Sequence, residues 1–127
     1  MHDYRKLRVY ELAVRIVEST YDLTRRLPSS ERYGLSAQMN RASVSISVNI
    51  AEGAGRGDRA DFARFLRIAR GSAAELETLA LLAHRLGYVD AKTTSDLRQQ
   101  AEAAKAGITK LERSLSARRR GPPTPST

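Results

Sequence analysis

The chain has 127 residues and no cysteine or tryptophan, and its 22 lysines and arginines outnumber 14 acidic residues, giving a formal charge of +8. This length fits one domain with one hydrophobic core, and the lack of cysteine excludes disulfides and thiolate metal sites. No apolar run approaches the roughly 20 residues of a membrane span, and the charged start does not resemble a signal peptide. We therefore expect a soluble, cytoplasmic protein with no membrane partner.

The first predicted helix covers about residues 6–27. Its apolar residues recur at the three- and four-residue steps that place them on one buried face. They are Val9, Leu12, Ala13, Ile16 and Val17. Pro28 ends this helix, because proline has no N–H to donate and restricts the residue before it. Residues 29–34 are expected to form a connector.

The second predicted helix, about residues 36–52, carries apolar residues on two faces. The core face is expected to hold Leu35, Met39, Ala42, Ile46, Asn49 and Ile50. The opposite face holds Ala37, Val44, Val48 and Ala51. A surface helix normally has a single apolar face, and a bundle this small has little of its own chain to cover a second one. We therefore expect a neighbouring subunit to cover it.

A glycine-rich break at residues 53–57 is expected to separate this helix from a third one at about residues 59–86, capped by Asp58. Leu81 and Leu82 give the outer face of its second half an apolar character, so this half is expected to be buried nearly all round. Gly71, in its middle, predicts a close approach of another helix. The core face is expected to hold Phe62, Phe65, Leu66, Ala69, Ala73, Leu76, Ala80 and Ala83.

Gly87 is expected to end the third helix, and Asp90, or Thr93 and Thr94, to begin the fourth. The fourth helix has a heptad seam made of Leu97, Ala101, Ala104, Ile108, Leu111 and Leu115. Such a seam is typical of left-handed helical bundles. We therefore predict that residues 1–117 form an all-α, antiparallel up-down four-helix bundle. Residues 118–127, basic and rich in proline, are expected to be a disordered tail.

The sequence contains no recognisable catalytic or metal-binding pattern. Its two histidines, His2 and His84, do not belong to a Glu-x-x-His pair of the kind that binds metal in helical bundles. The helix serines have no neighbouring histidine that could act as a base. We therefore predict a protein that is not an enzyme and that holds no metal and no cofactor.

Arginines of the third helix and of the loop before it form a candidate nucleic-acid surface. A row of guanidinium groups can follow phosphates and makes binding depend on salt, but it carries no base specificity. The alternative is that these side chains form a solvent-exposed helix face with no binding role. The predicted nucleic-acid-binding residues are Arg56, Arg59, Arg64, Arg67 and Arg70.

Polar residues of the second helix need partners if they are buried. Asn49 lies among core positions, and Arg41 and Glu52 flank the second apolar face but are too far apart along the helix to pair with each other. We predict a structural polar network of Asn49, Glu52 and Arg56. The predicted oligomer interface comprises Ala37, Arg41, Val44, Val48, Ala51, Glu52, Leu81 and Leu82.

Residues 33–53, YGLSAQMNRASVSISVNIAEG, resemble the signature of a bacterial four-helix-bundle family whose founding members are encoded in intervening sequences of 23S ribosomal RNA genes. The later stretches FLRIARGSAAELET, at residues 65–78, and LGY, at residues 86–88, match in the same order. The resemblance covers about residues 7–115.

The resemblance implies properties that composition and spacing do not show. Relatives assemble as rings, typically homopentamers, and no catalytic activity is associated with them. A related branch serves as the accessory protein of diversity-generating retroelements, where it partners a reverse transcriptase and binds nucleic acid through a positively charged surface. The leading hypothesis is thus a basic homo-oligomer that binds RNA or DNA. The alternative is a protein-interaction scaffold with no nucleic-acid role.

Overall fold

The computed structural model describes Tyr4 and residues 7–120, with side chains described through residue 117. Among the described residues there is no strand, so the predicted all-α fold is confirmed. A short 3-10 turn, Ser29–Glu31, lies between the first two helices. The helices are α1 Arg8–Thr24, α2 Leu35–Gly55, α3 Arg59–Arg85 and α4 Ala91–Arg120.

The four helices form an antiparallel bundle in which each helix packs against two others. The packed pairs are α1 with α2, α2 with α3, α3 with α4, and α4 with α1. At the end of α1, the Thr24 hydroxyl lies 3.0 Å from Asn40 Oδ1 near the start of α2, and Arg26 lies 3.7 Å from Asp90 just before α4. These contacts and the short connectors give the predicted up-down arrangement.

The core is built from aliphatic side chains of all four helices, as the low aromatic content predicts. Burial of such apolar surface is the main favourable term for folding, at about 25 cal/mol per Å². The predicted seam of α4 is buried except for Leu111, which is half-buried, and Asn49 and Phe65 are also only half-buried. The largest fully buried apolar side chains are Ile16, Leu23, Met39, Ile46, Ile50, Leu66, Leu76 and Ile108.

The predicted signals at the start and end of the later helices are confirmed. The Asp58 carboxylate accepts from the Ala60 N–H over 2.8 Å and caps α3. Gly87 has a φ of 84°, and the next N–H, of Tyr88, donates to the Ala83 carbonyl, which is the glycine-dependent ending of a helix. The Asp90 carboxylate accepts from the Thr93 N–H over 3.2 Å at the start of α4.

Two expectations about glycines are wrong. The helical break does not begin at Gly53, because α2 continues to Gly55 and the chain turns only at residues 56–58. Nor does another helix of the same chain approach Gly71 closely among the described residues, since a Cβ placed there would have no neighbour outside its own helix within 4 Å. The close approach is at Gly53 instead, where a Cβ would lie 2.8 Å from Phe65 Cβ of α3.

α4 extends to Arg120, three residues past the predicted end of the bundle at residue 117. Residues 121–127, the remainder of the predicted disordered tail, lie outside the described residues, as do residues 1–3, 5 and 6. Within the described part of the chain, no helix combines the length and the apolar character needed to cross a membrane.

Candidate nucleic-acid and self-association surfaces

A basic groove of about 340 Å³ lies between the first half of α3 and the last part of α4. Arg59, Arg67 and Arg70 line it from α3, and Arg113 lines it from α4. Arg70 is half-buried and forms an ion pair with Glu112 across the two helices. The other three arginines are exposed. We call Arg59, Arg67 and Arg113 the basic groove residues.

None of the basic groove residues has an ion-pair partner among the described residues. Their guanidinium groups are therefore free to bind an anion. The sequence pattern does not single out Arg113, because the heptad seam of α4 marks the buried side of that helix and not its outer side. The α4 backbone continues past the groove to Arg118–Arg120, so three more arginines follow on the same helix.

Arg56 and Arg64, also predicted for nucleic-acid binding, lie elsewhere and are partly neutralised. Their guanidinium carbons lie 5.0 and 4.5 Å from the centre of the Phe65 ring, within the range of a cation–π contact. Each is also 3.6 Å from a carboxylate, Glu52 for Arg56 and Asp61 for Arg64. The predicted row of five arginines thus divides into two groups. Arg56 lies in the turn between α2 and α3, and Arg64 lies in the second turn of α3.

The outward side of α2 carries the second apolar face that the sequence predicts. Val48 is 50% exposed, and Ala37, Val44 and Ala51 are half-buried. Together with the exposed Arg41 these residues recur at alternating steps of four and three, which is the spacing of a helix–helix seam. Among the described residues, α2 packs only against α1, α3 and the 3-10 turn, and Tyr4 and Tyr10 line a cavity with Val48 and Ala51 at one end of this outward side.

α3 continues this apolar surface with residues that the sequence analysis did not assign to it. A hydrogen bond of 2.8 Å between the Ser45 and Ser72 hydroxyls fixes the register of α2 against α3. Because the helices are antiparallel, Val48 is then level with Ile68, which is 43% exposed. Leu82 and Leu86 extend the exposed apolar strip along α3. We call the outward sides of α2 and α3 together the α2–α3 outer surface.

The structure separates Leu81 from Leu82, which were predicted to share one interface. Leu81 lies one turn after Glu77, whose carboxylate is 2.6 Å from Lys105 of α4, so Leu81 is on the side of α3 that faces α4. Leu82 lies on the α2–α3 outer surface. Both are exposed, so the expected burial all round the second half of α3 is wrong for a single chain.

The predicted polar network consists of two separate groups. Asn49 Nδ2 donates to the Ser45 carbonyl over 2.8 Å and to the Ser45 hydroxyl over 3.0 Å, and Ser45 bonds to Ser72 of α3. Glu52 pairs with Arg56 on the surface instead. The sequence does not predict the two serines as partners, because a hydrogen bond between hydroxyls on different helices depends on the register of those helices.

The described residues contain no group of three or more potential metal ligands. His84 Nδ1 lies 2.8 Å from the Val89 carbonyl oxygen. This contact closes the connector between α3 and α4, so the position of His84 is explained by the local structure.

Comparisons with known proteins agree with this architecture. A family model described as 23S rRNA-intervening sequence protein matches residues 5–110. The chain is also similar to the crystal structure of a protein of unknown function from the S23 ribosomal protein family of Bacteroides thetaiotaomicron, with a TM-score of 0.77 and 23% identity. That similarity covers 83% of this chain and 95% of the other, and it concerns the fold. A comparison with curated proteins found no match.

Proposed function

The chain belongs to the 23S rRNA-intervening sequence protein family, and on this premise we propose that it is a non-enzymatic, homo-oligomeric basic bundle that binds RNA or DNA as an accessory protein. The observation that carries the nucleic-acid part is the basic groove, where Arg59, Arg67 and Arg113 have no carboxylate partner among the described residues. The family's name links it to ribosomal RNA genes, which supports RNA as the first ligand to test.

Charge distribution supports a phosphate ligand at this end of the bundle. Residues 7–117 carry 17 lysines and arginines against 13 acidic residues, so half of the formal charge of +8 lies outside this range. Arg118–Arg120, at the end of α4, supply much of that remainder. A polyanion bound in the groove would therefore lie beside a helix end with a concentrated positive charge. Such binding releases counterions and weakens as salt rises.

Binding to RNA and to DNA of mixed sequence, measured by fluorescence anisotropy across a salt series, tests this proposal. We expect binding at low salt, and we expect log K to fall linearly with log salt concentration. No binding at low salt, or binding that salt does not change, would contradict it. Comparing the two ligands shows whether the 2′-hydroxyl contributes, because only RNA carries it.

The α2–α3 outer surface supports the homo-oligomeric part of the proposal. Val48, Ile68, Leu82 and Leu86 are each between 43% and 58% exposed on it. Contiguous apolar surface of this kind marks interaction sites in proteins. A second copy would remove it from water, and the resemblance implies a ring of typically five. Light scattering at several protein concentrations measures the assembled mass directly.

The alternative function is a protein-interaction scaffold, and one observation favours it. Arg56, Arg64 and Arg70, three of the five predicted nucleic-acid-binding arginines, form ion pairs within the chain. In this case the α2–α3 outer surface binds a client, for which the resemblance suggests a reverse transcriptase. Replacing the basic groove residues with glutamine would then leave client binding unchanged. A loss of client binding would contradict the scaffold.

A further inference from the structure

Nearly every carboxylate of residues 7–117 has a partner within the chain. Eleven of the thirteen accept a hydrogen bond or belong to an ion pair. The two without either, in the described part of the chain, are Glu18 on α1 and Glu75 on α3. Both are exposed. Their surroundings differ, however, because Glu75 lies between Ile68 and Leu82 on the α2–α3 outer surface.

Arg41 has the matching position on α2. It lies four residues before Ser45, and Glu75 lies three residues after Ser72, so the hydrogen bond between these serines places Arg41 and Glu75 at the same level. Arg41 is exposed and forms no ion pair among the described residues. Arg41 and Glu75 thus give the α2–α3 outer surface two unpaired charges of opposite sign at the same level, among apolar side chains.

Gly71 adds a steric feature to this surface. It lies one turn before Glu75 on the same side of α3, it is exposed, and nothing within the chain lies within 4 Å of the position of a Cβ. Glycine inside a helix costs about 1 kcal/mol relative to alanine, and no contact within the chain requires it here. A helix of another molecule could approach the α3 backbone closely at this point, because no side chain stands in its way.

We infer that Arg41 of one copy forms an ion pair with Glu75 of the next copy, and that this pair sets the register in which the α2 side of one outer surface associates with the α3 side of the next, as a ring requires. The inference rests on the proposed self-association and names the residues that direct it. Covering the apolar strip removes water from both charges, and a charge buried without a partner is strongly unfavourable. Every copy carries both Arg41 and Glu75. A register that places Arg41 of one copy beside Glu75 of another therefore gives each charge a partner.

The same two charges also exclude wrong arrangements. A shifted register leaves the guanidinium of Arg41 and the carboxylate of Glu75 facing apolar side chains. A register that places like charges together adds electrostatic repulsion. Specificity between similar surfaces commonly depends on such unfavourable alternatives. Arg41 and Glu75 are accordingly positioning residues of the interface, while Val48, Ile68 and Leu82 supply its apolar area.

Charge reversal tests the pair. Arg41→Glu and Glu75→Arg are made singly and together, and the assembled mass of each variant is measured by light scattering over a series of protein concentrations. We expect each single reversal to raise the dissociation constant of the assembly at least about tenfold. The double variant should assemble like the wild type. Glu18→Arg and Arg98→Glu are the matched controls, since both residues are exposed and lie outside this surface. They should leave the mass unchanged.

Mixing the two single variants decides whether the pair joins two molecules or two helices of one chain. An equimolar mixture restores unlike charges only across contacts between different variants, so we expect the mixture to form assemblies of higher mass than either variant alone, although an odd-numbered ring cannot alternate completely. If the double variant assembles and the mixture does not, the pairing is within one chain and the inference is wrong. If the wild type and both single reversals all assemble, the inferred ion pair between Arg41 and Glu75 is wrong, but the proposed self-association is supported. A monomeric wild type would overturn both.

Discussion

Gly53 of α2 faces Phe65 of α3 so closely that a Cβ added to the glycine would lie 2.8 Å from Phe65 Cβ. The same atom would lie 2.9 Å from Phe62 Cδ1 and 3.2 Å from the Phe62 carbonyl oxygen. Real Cβ atoms do not approach a neighbouring Cβ at this distance, and the backbone carbonyl cannot move without moving α3. The contact therefore sets the distance between α2 and α3 next to their connector.

Gly53→Ala should destabilise the bundle, because the extra methyl group must push α3 away or move both phenylalanine rings. Overpacking of this kind costs about 1–3 kcal/mol. We expect this loss in the free energy of unfolding, measured by urea denaturation and followed by circular dichroism at 222 nm.

Gly55→Ala, two residues further along α2, is the matched control. Its Cβ position has no neighbour within 4 Å and its φ is not positive. Alanine there should raise the stability by up to about 1 kcal/mol, since it is the better helix former. Equal effects of the two substitutions would show that the Phe65 contact does not limit the packing.

These glycines also show how far the fold could be predicted. Periodicity correctly predicted four helices and most of their core positions, because the spacing of apolar residues along a helix is a property of the local sequence. It assigned the close approach to Gly71 instead of Gly53, because the position at which two helices cross depends on their register. The break was placed at Gly53 for a related reason. Glycine permits a turn, but α2 continues there because α3 packs against it.

The candidate site was less predictable than the fold. The sequence singled out five arginines near one another along the chain, yet Arg70 pairs with Glu112, which is distant in sequence. Arg113 joins the basic groove only because α4 packs beside α3. Tertiary contacts decide which arginines have no carboxylate partner. The periodicity of the sequence does not predict those contacts.

Lys105 links α4 to α3 by an ion pair with Glu77 at 2.6 Å. The Glu77 side chain is only 13% exposed, so Lys105→Met would leave a carboxylate with little access to water and no cation. We expect a loss of about 1–3 kcal/mol in the free energy of unfolding. Adding Glu77→Gln should recover part of it, because the unpaired charge is then removed. No recovery in the double variant would show that the loss comes from packing of the lysine stem.

The same lysine predicts a dependence of stability on alkaline pH. Its hydrogen bond with Glu77, and a second one with Glu102, raise the pKa of Lys105 above the ordinary value of 10.5. A raised pKa in the folded state means that the stabilisation is complete below the unfolded pKa and is lost as pH rises through the folded one. As pH rises from about 10 to about 12, the thermal unfolding temperature of the wild type should therefore approach that of Lys105→Met. A constant difference across this range would contradict the assignment.

Val48→Glu should prevent self-association, because assembly would bury an unpaired carboxylate on the α2–α3 outer surface. Burying a carboxylate without a cationic partner costs about 3 kcal/mol or more. This cost corresponds to a rise of at least about 100-fold in the dissociation constant. Light scattering over a concentration series gives this value. Leu81→Glu is the control, since Leu81 is also exposed but lies on the side of α3 that faces α4. If both substitutions dissociate the assembly equally, the interface is not the α2–α3 outer surface.

Replacing Arg59, Arg67 and Arg113 together with glutamine should weaken nucleic-acid binding and reduce its dependence on salt. Each phosphate contact contributes about 0.9 to the slope of log K against log salt for duplex DNA and about 0.7 for a single strand. Losing three contacts should therefore reduce the slope by about 2–3. The effect should be similar for different sequences, because phosphate contacts do not distinguish bases.

A second triple variant separates the location of the charge from its amount. Arg15, Arg25 and Arg98 are exposed and lie outside the basic groove, and their replacement with glutamine removes the same total charge. This variant should keep a slope close to that of the wild type, because distant charges are screened beyond about 8–10 Å at ordinary salt. If both triple variants lose the same affinity and the same slope, net charge alone governs binding, and the groove between α3 and α4 is not the site.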